Sequence, residues 1–109
     1  MNEITFEQFS AVEIRVGLVT GAEKVEKSEK LLKLTVLFGE ESRTVVSGIA
    51  KTYESSTLIG QKFLFVTNLP SRKVMGITSE AMIFGAENEL GEVVLCVPNR
   101  EVANGTRFG

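Results

Sequence analysis

The chain has 109 residues, a formal net charge of −2 at pH 7, and a composition that is 43% hydrophobic and 24% charged. This length suits one domain with one hydrophobic core, and this balance of residues excludes a disordered chain. The apolar runs are too short to cross a membrane, and the polar start MNEITFEQ lacks the pattern of a secretory signal. We therefore expect a single domain, residues 1–109, that resides in the cytoplasm and has no membrane partner.

Two residue types are absent from the sequence. It contains no His and no Asp, so all 14 acidic residues are Glu. Without His, the usual Ser-His-Asp and Cys-His arrangements cannot form, and His-based zinc sites have no ligand. The single cysteine, Cys96, lies in the apolar run VVLCVP, where we expect it to be a small buried residue. The sequence therefore predicts a protein that is not an enzyme and that uses no cofactor and no metal.

Most of the predicted elements are strands, because apolar and polar residues alternate in several short runs. In chain order, we predict a short helix at 5–12, strands at 12–19, 31–38 and 43–48, a short helix within 49–60 that Gly60 ends, and strands at 62–69, 81–86 and 92–97. The strand at 62–69 is apolar on both faces and should lie deepest.

This order of elements predicts a mainly all-β fold. Five or so short strands with a helix between the third and the fourth are typical of the oligonucleotide/oligosaccharide-binding (OB) fold, a partly open Greek-key barrel. Residues 87–109 then exceed what the barrel needs, although they contain Val102 and Phe108, and the N-terminal Phe6 and Phe9 are similarly surplus. Because such apolar patches are usually buried, we predict a homodimer in which this C-terminal extension takes part.

The charges of the chain are unevenly distributed. Residues 42–82 carry five Lys or Arg against two Glu, although the whole chain is acidic. Within this segment, the stretch NLPSRKVMGITSEAM places Arg72 and Lys73 side by side between two apolar runs. These residues indicate either a local basic face that binds a polyanion or an ordinary solvated loop.

Several runs of this sequence carry a family resemblance. In order, VEIRVGLV, SEKLLKLTV, RTVVSGIAKTY, LIGQKFLFVTNL, RKVMG and SEAM closely resemble the structure-specific tRNA-binding domain. Members of that family occur at the C-terminus of many methionyl-tRNA synthetases, as free-standing homodimers and in synthetase-associated cofactors. The resemblance extends over about residues 6–108. It implies an OB barrel that docks on the outer elbow of tRNA and recognises its shape.

The resemblance also implies a set of RNA-binding residues. Folded RNA presents phosphates, 2′-hydroxyls and a few unstacked bases, so a protein that binds it needs cations, short hydrogen-bonding groups and flat or soft apolar groups. Matched onto this sequence, the ligand face of the family consists of Lys30, Lys33, Arg43, Ser47, Asn68, Arg72, Lys73, Ser79 and Met82. Ser79 and Met82 have an alternative interpretation, in which they begin a strand and fill the core. The insertion of Ser71 between the proline and the basic pair leaves the geometry of that loop open.

A second resemblance concerns the C-terminus. The run VVLCVPNREVANGTRF also resembles the ending of dimeric export chaperones, which share the barrel and bind unfolded polypeptide. The intact GIAKTY and SEAM stretches favour tRNA over polypeptide. The implied partners are therefore tRNA, a second copy of the chain and a methionyl-tRNA synthetase catalytic chain. Because the sequence starts at Met1, we expect an association with that synthetase to be non-covalent.

Overall fold

The computed structural model describes residues 1–109. In chain order, its elements are α1 (Phe6–Ser10), β1 (Ile14–Lys24), β2 (Leu32–Phe38), β3 (Glu41–Ser47), α2 (Ser55–Leu58), β4 (Lys62–Val66), β5 (Arg72–Val74), β6 (Ile77–Ser79), β7 (Met82–Ile83), β8 (Gly85–Glu87), β9 (Val93–Leu95) and β10 (Arg107–Phe108). Neither helix is long and apolar enough to cross a membrane.

One antiparallel sheet forms the barrel. Its strand order is β3-β2-β1-β4-β7, with β10 also paired to β1, and two separate hairpins consist of β5–β6 and β8–β9. The long strand β1 is central, because its first half pairs with β4 and β10 while its second half pairs with β2. The helix α2 lies between the third and fourth strands. This arrangement confirms the predicted OB-type barrel.

The hydrophobic core fills the inside of this curled sheet. Alternate residues of β2 are buried, and Leu32, Leu34 and Val36 have no exposed surface. The rings of Phe38 and Phe65 meet edge to face, with their centroids 5.2 Å apart. Each fully buried side chain of this size contributes about 1.5–3 kcal/mol relative to an exposed one. The period-two pattern that predicts β2 is therefore the pattern that packs the core.

Several predicted boundaries are wrong. Strand β1 continues to Lys24, and its pairing with β2 shifts in register between Val19 and Gly21, as at a β-bulge. The predicted strand at 81–86 is two short strands that pair with β4 and β9. The short helix predicted within 49–60 is present as a single turn, Ser55–Leu58, and Gly60 with its positive φ follows its C-cap as predicted. Cys96 is partly exposed rather than buried.

The C-terminal segment belongs in part to the barrel, which corrects its interpretation as a surplus extension. In β10, Phe108 pairs with Ile14 of β1, and the N–H of Gly105 donates to the carbonyl of Val16 at 2.7 Å. The amide of Asn104 donates to two carbonyls at the end of β2 and beyond it, those of Leu37 and Gly39. These bonds hold the segment in the sheet, beside the first residues of β1.

The free edge of β3 is closed by side chains. Because β3 is the last strand of the sheet, the N–H groups on its outer side have no strand partner. The hydroxyl of Ser79 accepts the N–H of Val46 at 2.9 Å and donates to the carbonyl of Ala81 at 3.3 Å. The carboxylate of Glu80 accepts the N–H of Thr44 at 2.9 Å, while the N–H of Glu80 donates to the carbonyl of Thr44 at 2.8 Å. These bonds hold the β5–β6 hairpin against β3.

We expect Gly17→Ala to destabilise the barrel. A Cβ at this position would lie 2.5 Å from a methyl carbon of Val36 and 2.7 Å from the ring of Phe38, so the core would have to shift. The free energy of unfolding should fall by about 1–3 kcal/mol, as is typical of overpacked cores. The control Gly21→Ala, whose Cβ would lie 3.4 Å from the Thr35 side chain, should stay within about 0.5 kcal/mol of wild type. Equal urea midpoints by circular dichroism would contradict this account.

We also expect Ser79→Ala to destabilise the fold. Ser79 is only 6% exposed, so its loss leaves the N–H of Val46 buried without its partner. The expected loss is about 1–3 kcal/mol of unfolding free energy. Ser47→Ala, at a partly buried position on the end of β3, is the matched control and should change stability by less than about 0.5 kcal/mol. Urea denaturation measures both variants, and a Ser79→Ala protein as stable as wild type would refute the closure of β3 described above.

Candidate nucleic-acid interface

A cavity of about 360 Å³ opens between the end of β3 and the β5–β6 hairpin. Most of its lining is apolar and includes Leu69, Val74 and Met82, while Arg72 is its only charged residue. Four of the predicted site residues meet here: Ser47, Arg72, Ser79 and Met82. The structure therefore brings together the part of the predicted site that comes from β3, from the hairpin and from β7.

The basic pair lies in a strand and not in the polar loop that the sequence suggested. In the β5–β6 hairpin, Arg72 is opposite Ser79 and Lys73 is opposite Thr78. Because successive residues of a strand point to opposite faces, Arg72 lines the cavity while Lys73 points away from it. Both side chains are exposed and neither forms an ion pair. The hairpin thus presents one free cation on each of its faces.

Two further predicted cations flank the cavity. Lys33 on β2 is paired in register with Val46 of β3, which lines the cavity, and its ammonium lies 3.6 Å from the carboxylate of Glu23. An exposed ion pair of this kind contributes about 0–1 kcal/mol, so Glu23 holds Lys33 only weakly. Lys30 is exposed and directly precedes Leu31, another residue of the cavity wall.

Arg43 lies apart from this group. Its guanidinium donates to the carbonyl of Thr67 at 2.7 Å and to that of Glu80 at 3.3 Å, and it forms an ion pair with Glu41. It also lies 5.5 Å from the centre of the Phe38 ring. These contacts join β3 to the residues that follow β4 and β6, and Arg43 lines a different cavity from that of Arg72.

Both polar groups of the Asn68 side chain are bonded to the N-terminal segment. Its oxygen accepts the N–H of Glu13 at 2.9 Å and its amide donates to the carbonyl of Ala11 at 2.6 Å. Hydrogen bonds from Arg15 and then Thr67 hold the pKa of the Glu13 carboxyl below its usual range. Asn68 therefore joins the segment after β4 to the segment after α1.

Two exposed apolar residues near the cavity were absent from the predicted set. Leu69 is 48% exposed in its wall, and Met75 is 57% exposed at the turn of the β5–β6 hairpin. The sequence contains a feature that could have identified Met75. This methionine directly precedes Gly76, at a position where a two-residue hairpin turn favours Asn or Asp. For Leu69, the sequence contains no comparable signal.

Solved structures share this barrel. The MetRS-related protein from Pyrococcus horikoshii is 41% identical, with a TM-score of 0.94 over all of both chains. The chaperone CsaA from Bacillus anthracis is 36% identical, with a TM-score of 0.89 over 99% of this chain and 100% of that chain. The barrel alone therefore does not decide between nucleic acid and polypeptide as the ligand.

Curated relatives and a family model point to one of these ligands. The chain is 46% identical over 105 residues to the methionine–tRNA ligase of Porphyromonas gingivalis and, over an equal length, to that of Archaeoglobus fulgidus. Each match covers 96% of this chain, which spans only 15% and 16% of the length of these two relatives. The family model described as "Putative tRNA binding domain" matches residues 14–107. With nearly its whole length matched, the chain belongs to the tRNA-binding domain family.

Proposed function

We propose that this chain is a non-catalytic module that holds tRNA by its shape, against a surface that we call the hairpin face. The hairpin face consists of Lys30, Lys33, Ser47, Leu69, Arg72 and Met82 at the cavity, together with Lys73 on the other side of the hairpin. One observation carries the proposal: the hairpin bears two cations that form no ion pair. Arg72 lies beside the apolar cavity and Lys73 lies on the other side of the hairpin. Phosphates meet the cations, and an exposed base can pack on the apolar residues between them.

The net charge of −2 is compatible with this partner because Arg72 and Lys73 are exposed neighbours on β5 and no ion pair neutralises them. Most protein–nucleic acid bonds go to phosphate and sugar, so the local field matters more than the sum over the chain. In this proposal, Ser79, Asn68 and Arg43 hold the face in place, because their polar groups are engaged within the chain. Their direct contact with RNA stays a prediction.

The kinds of protein that this chain resembles support a methionyl-tRNA synthetase as the partner of the module. We propose that it acts beside a methionyl-tRNA synthetase catalytic chain in the cytoplasm and raises the local concentration of tRNA there. The support is its likeness to methionine–tRNA ligases over 96% of its own length and to a free-standing MetRS-related protein over all of it.

A second candidate function is the binding of unfolded polypeptide. The largely apolar wall of the cavity and the likeness to the chaperone CsaA favour it. The two ligands differ in their response to salt, because RNA binding releases counterions while apolar docking does not. We favour tRNA because apolar docking gives no role to the unpaired cations of the hairpin.

We expect the double variant Arg72→Ala, Lys73→Ala to bind tRNA more weakly and with a flatter salt dependence. The slope of log K against log salt should fall by about one unit for each lost phosphate contact. Fluorescence anisotropy of labelled tRNA at several salt concentrations measures it, and circular dichroism should stay unchanged. Arg100→Ala removes an exposed cation outside the hairpin face and should alter neither quantity. Unaltered affinity and slope in the double variant would show that Arg72 and Lys73 are ordinary surface residues that do not contact tRNA.

The same titration with an unfolded peptide decides between the two candidate functions. Tight tRNA binding that weakens steeply with salt supports the proposal. Salt-insensitive peptide binding without tRNA binding would support the chaperone alternative.

We also propose that the chain forms a homodimer through α1 and its surroundings. Phe6 is 81% exposed and Ile4 is 64% exposed, and Phe6, Phe9 and Phe108 line a cavity of about 400 Å³. A two-fold partner is the commonest means of covering such a surface. It would also place two hairpin faces on one particle, which raises the avidity for a large RNA.

Light scattering at micromolar concentration should therefore report about twice the chain mass of 11.9 kDa. Phe6→Glu should shift the protein to the monomer, since it places a charge in the dimer interface while leaving the core intact. Leu90→Glu changes an apolar residue that is 83% exposed in the β8–β9 turn, and this control should remain dimeric. A monomeric wild-type protein would disprove the dimer.

A further inference from the structure

The tip of the β5–β6 hairpin has an unusual residue. The pairing of Val74 with Ile77 leaves Met75 and Gly76 as a two-residue turn. Both have positive φ, +49° for Met75 and +82° for Gly76, as in a type I′ turn. Gly76 adopts such a conformation freely, whereas a side chain with a Cβ is disfavoured there. Asn, Asp or Gly would form this turn at a lower cost in free energy than Met75.

The fold gains little burial from this methionine. Its side chain is 57% exposed, and it is not part of the buried hydrophobic core. A non-glycine residue that combines backbone strain with an exposed apolar side chain has no evident role in folding. Such outliers are concentrated at sites that contact ligands.

The charges beside the tip indicate the kind of ligand. Arg72 and Lys73 precede Met75 on the same strand and point to opposite faces of the hairpin. At about 3.3 Å per residue, both cations lie within about 10 Å of the tip along the strand. A soft apolar group with one cation on each side matches a nucleotide, whose base is apolar on its faces and whose neighbouring phosphates are anionic. An apolar peptide side chain would leave both cations without a partner.

We infer that Met75 packs its thioether against an unstacked base of the bound tRNA, with Arg72 and Lys73 on the phosphates that flank this base. Methionine is among the apolar side chains that proteins place against exposed or opened base steps. This inference rests on the proposed tRNA binding and adds to it a specific contact at the hairpin tip. In this inference, Met75 occupies the strained turn because Asn, Asp or Gly, which would relieve the strain, lack the apolar surface that packs against the base.

The test separates stability from binding through opposite effects of one substitution. Met75→Asn relieves the turn and should raise the urea midpoint of unfolding. The same substitution removes the apolar contact and should weaken tRNA binding by roughly fivefold or more. Met75→Leu keeps an apolar side chain in the strained turn, so its affinity should stay within about twofold of wild type. Leu90→Asn makes the same kind of change at an exposed turn elsewhere and should leave the affinity unaltered.

Each other outcome overturns the inference. A Met75→Asn protein with wild-type tRNA affinity would disprove the contact between Met75 and the base, while tRNA binding as the proposed function would stand. A Met75→Asn protein less stable than wild type would show that the fold itself needs the methionine. Loss of unfolded-peptide binding with unchanged tRNA binding would assign the tip to polypeptide. A wild-type protein that binds no tRNA would reject the proposed function as well, which distinguishes that failure from the first.

Discussion

The closure of the β3 edge by Ser79 and Glu80 is the interaction on which the candidate site depends. A strand at the edge of a sheet leaves N–H groups unpaired, and here a serine hydroxyl and a glutamate carboxylate accept two of them. Ser79 is the last residue of β6 and Glu80 follows it, so their bonds fix the whole hairpin over the end of β3. The cavity exists between these two elements, and Arg72 reaches its wall only because the hairpin is held there.

The polar residues of the chain divide into two groups with different roles. Arg43 and Asn68 have their polar groups bonded to backbone carbonyls and N–H groups, so they join segments that are distant in sequence. Arg72 and Lys73 have no such partners and remain free to meet an anion. A cation that is already bonded internally would have to give up those bonds before it could bind a phosphate. The division therefore follows from the cost of breaking bonds and not from the type of residue.

The exposed apolar residues form two surfaces at different places. Leu69, Met75 and Met82 belong to the cavity wall or to the hairpin that covers it, where free cations accompany them. Phe6 and Phe9 belong to α1 and meet the C-terminal Phe108. Apolar surface beside unpaired charge suits a nucleotide, whereas the larger aromatic surface of α1 suits a second protein surface. One barrel can thus serve tRNA ligases and a chaperone, since its function lies in the side chains placed on it.

The sequence by itself determined the barrel and the membership of the tRNA-binding domain family. Alternation in β2 identifies its buried face because side chains repeat every two residues, and the absence of His removes the usual catalytic arrangements. Only the tertiary structure decided that Ser79 bonds to Val46, 33 residues away, and that β10 pairs with β1. It also showed that Arg72 and Lys73 lie in a strand and point to opposite faces, because the hairpin turns at Met75 although this position lacks the usual Asn or Asp. Periodicity is a local property of the chain, whereas the partner of an edge strand or of a polar side chain is chosen by the folded surface.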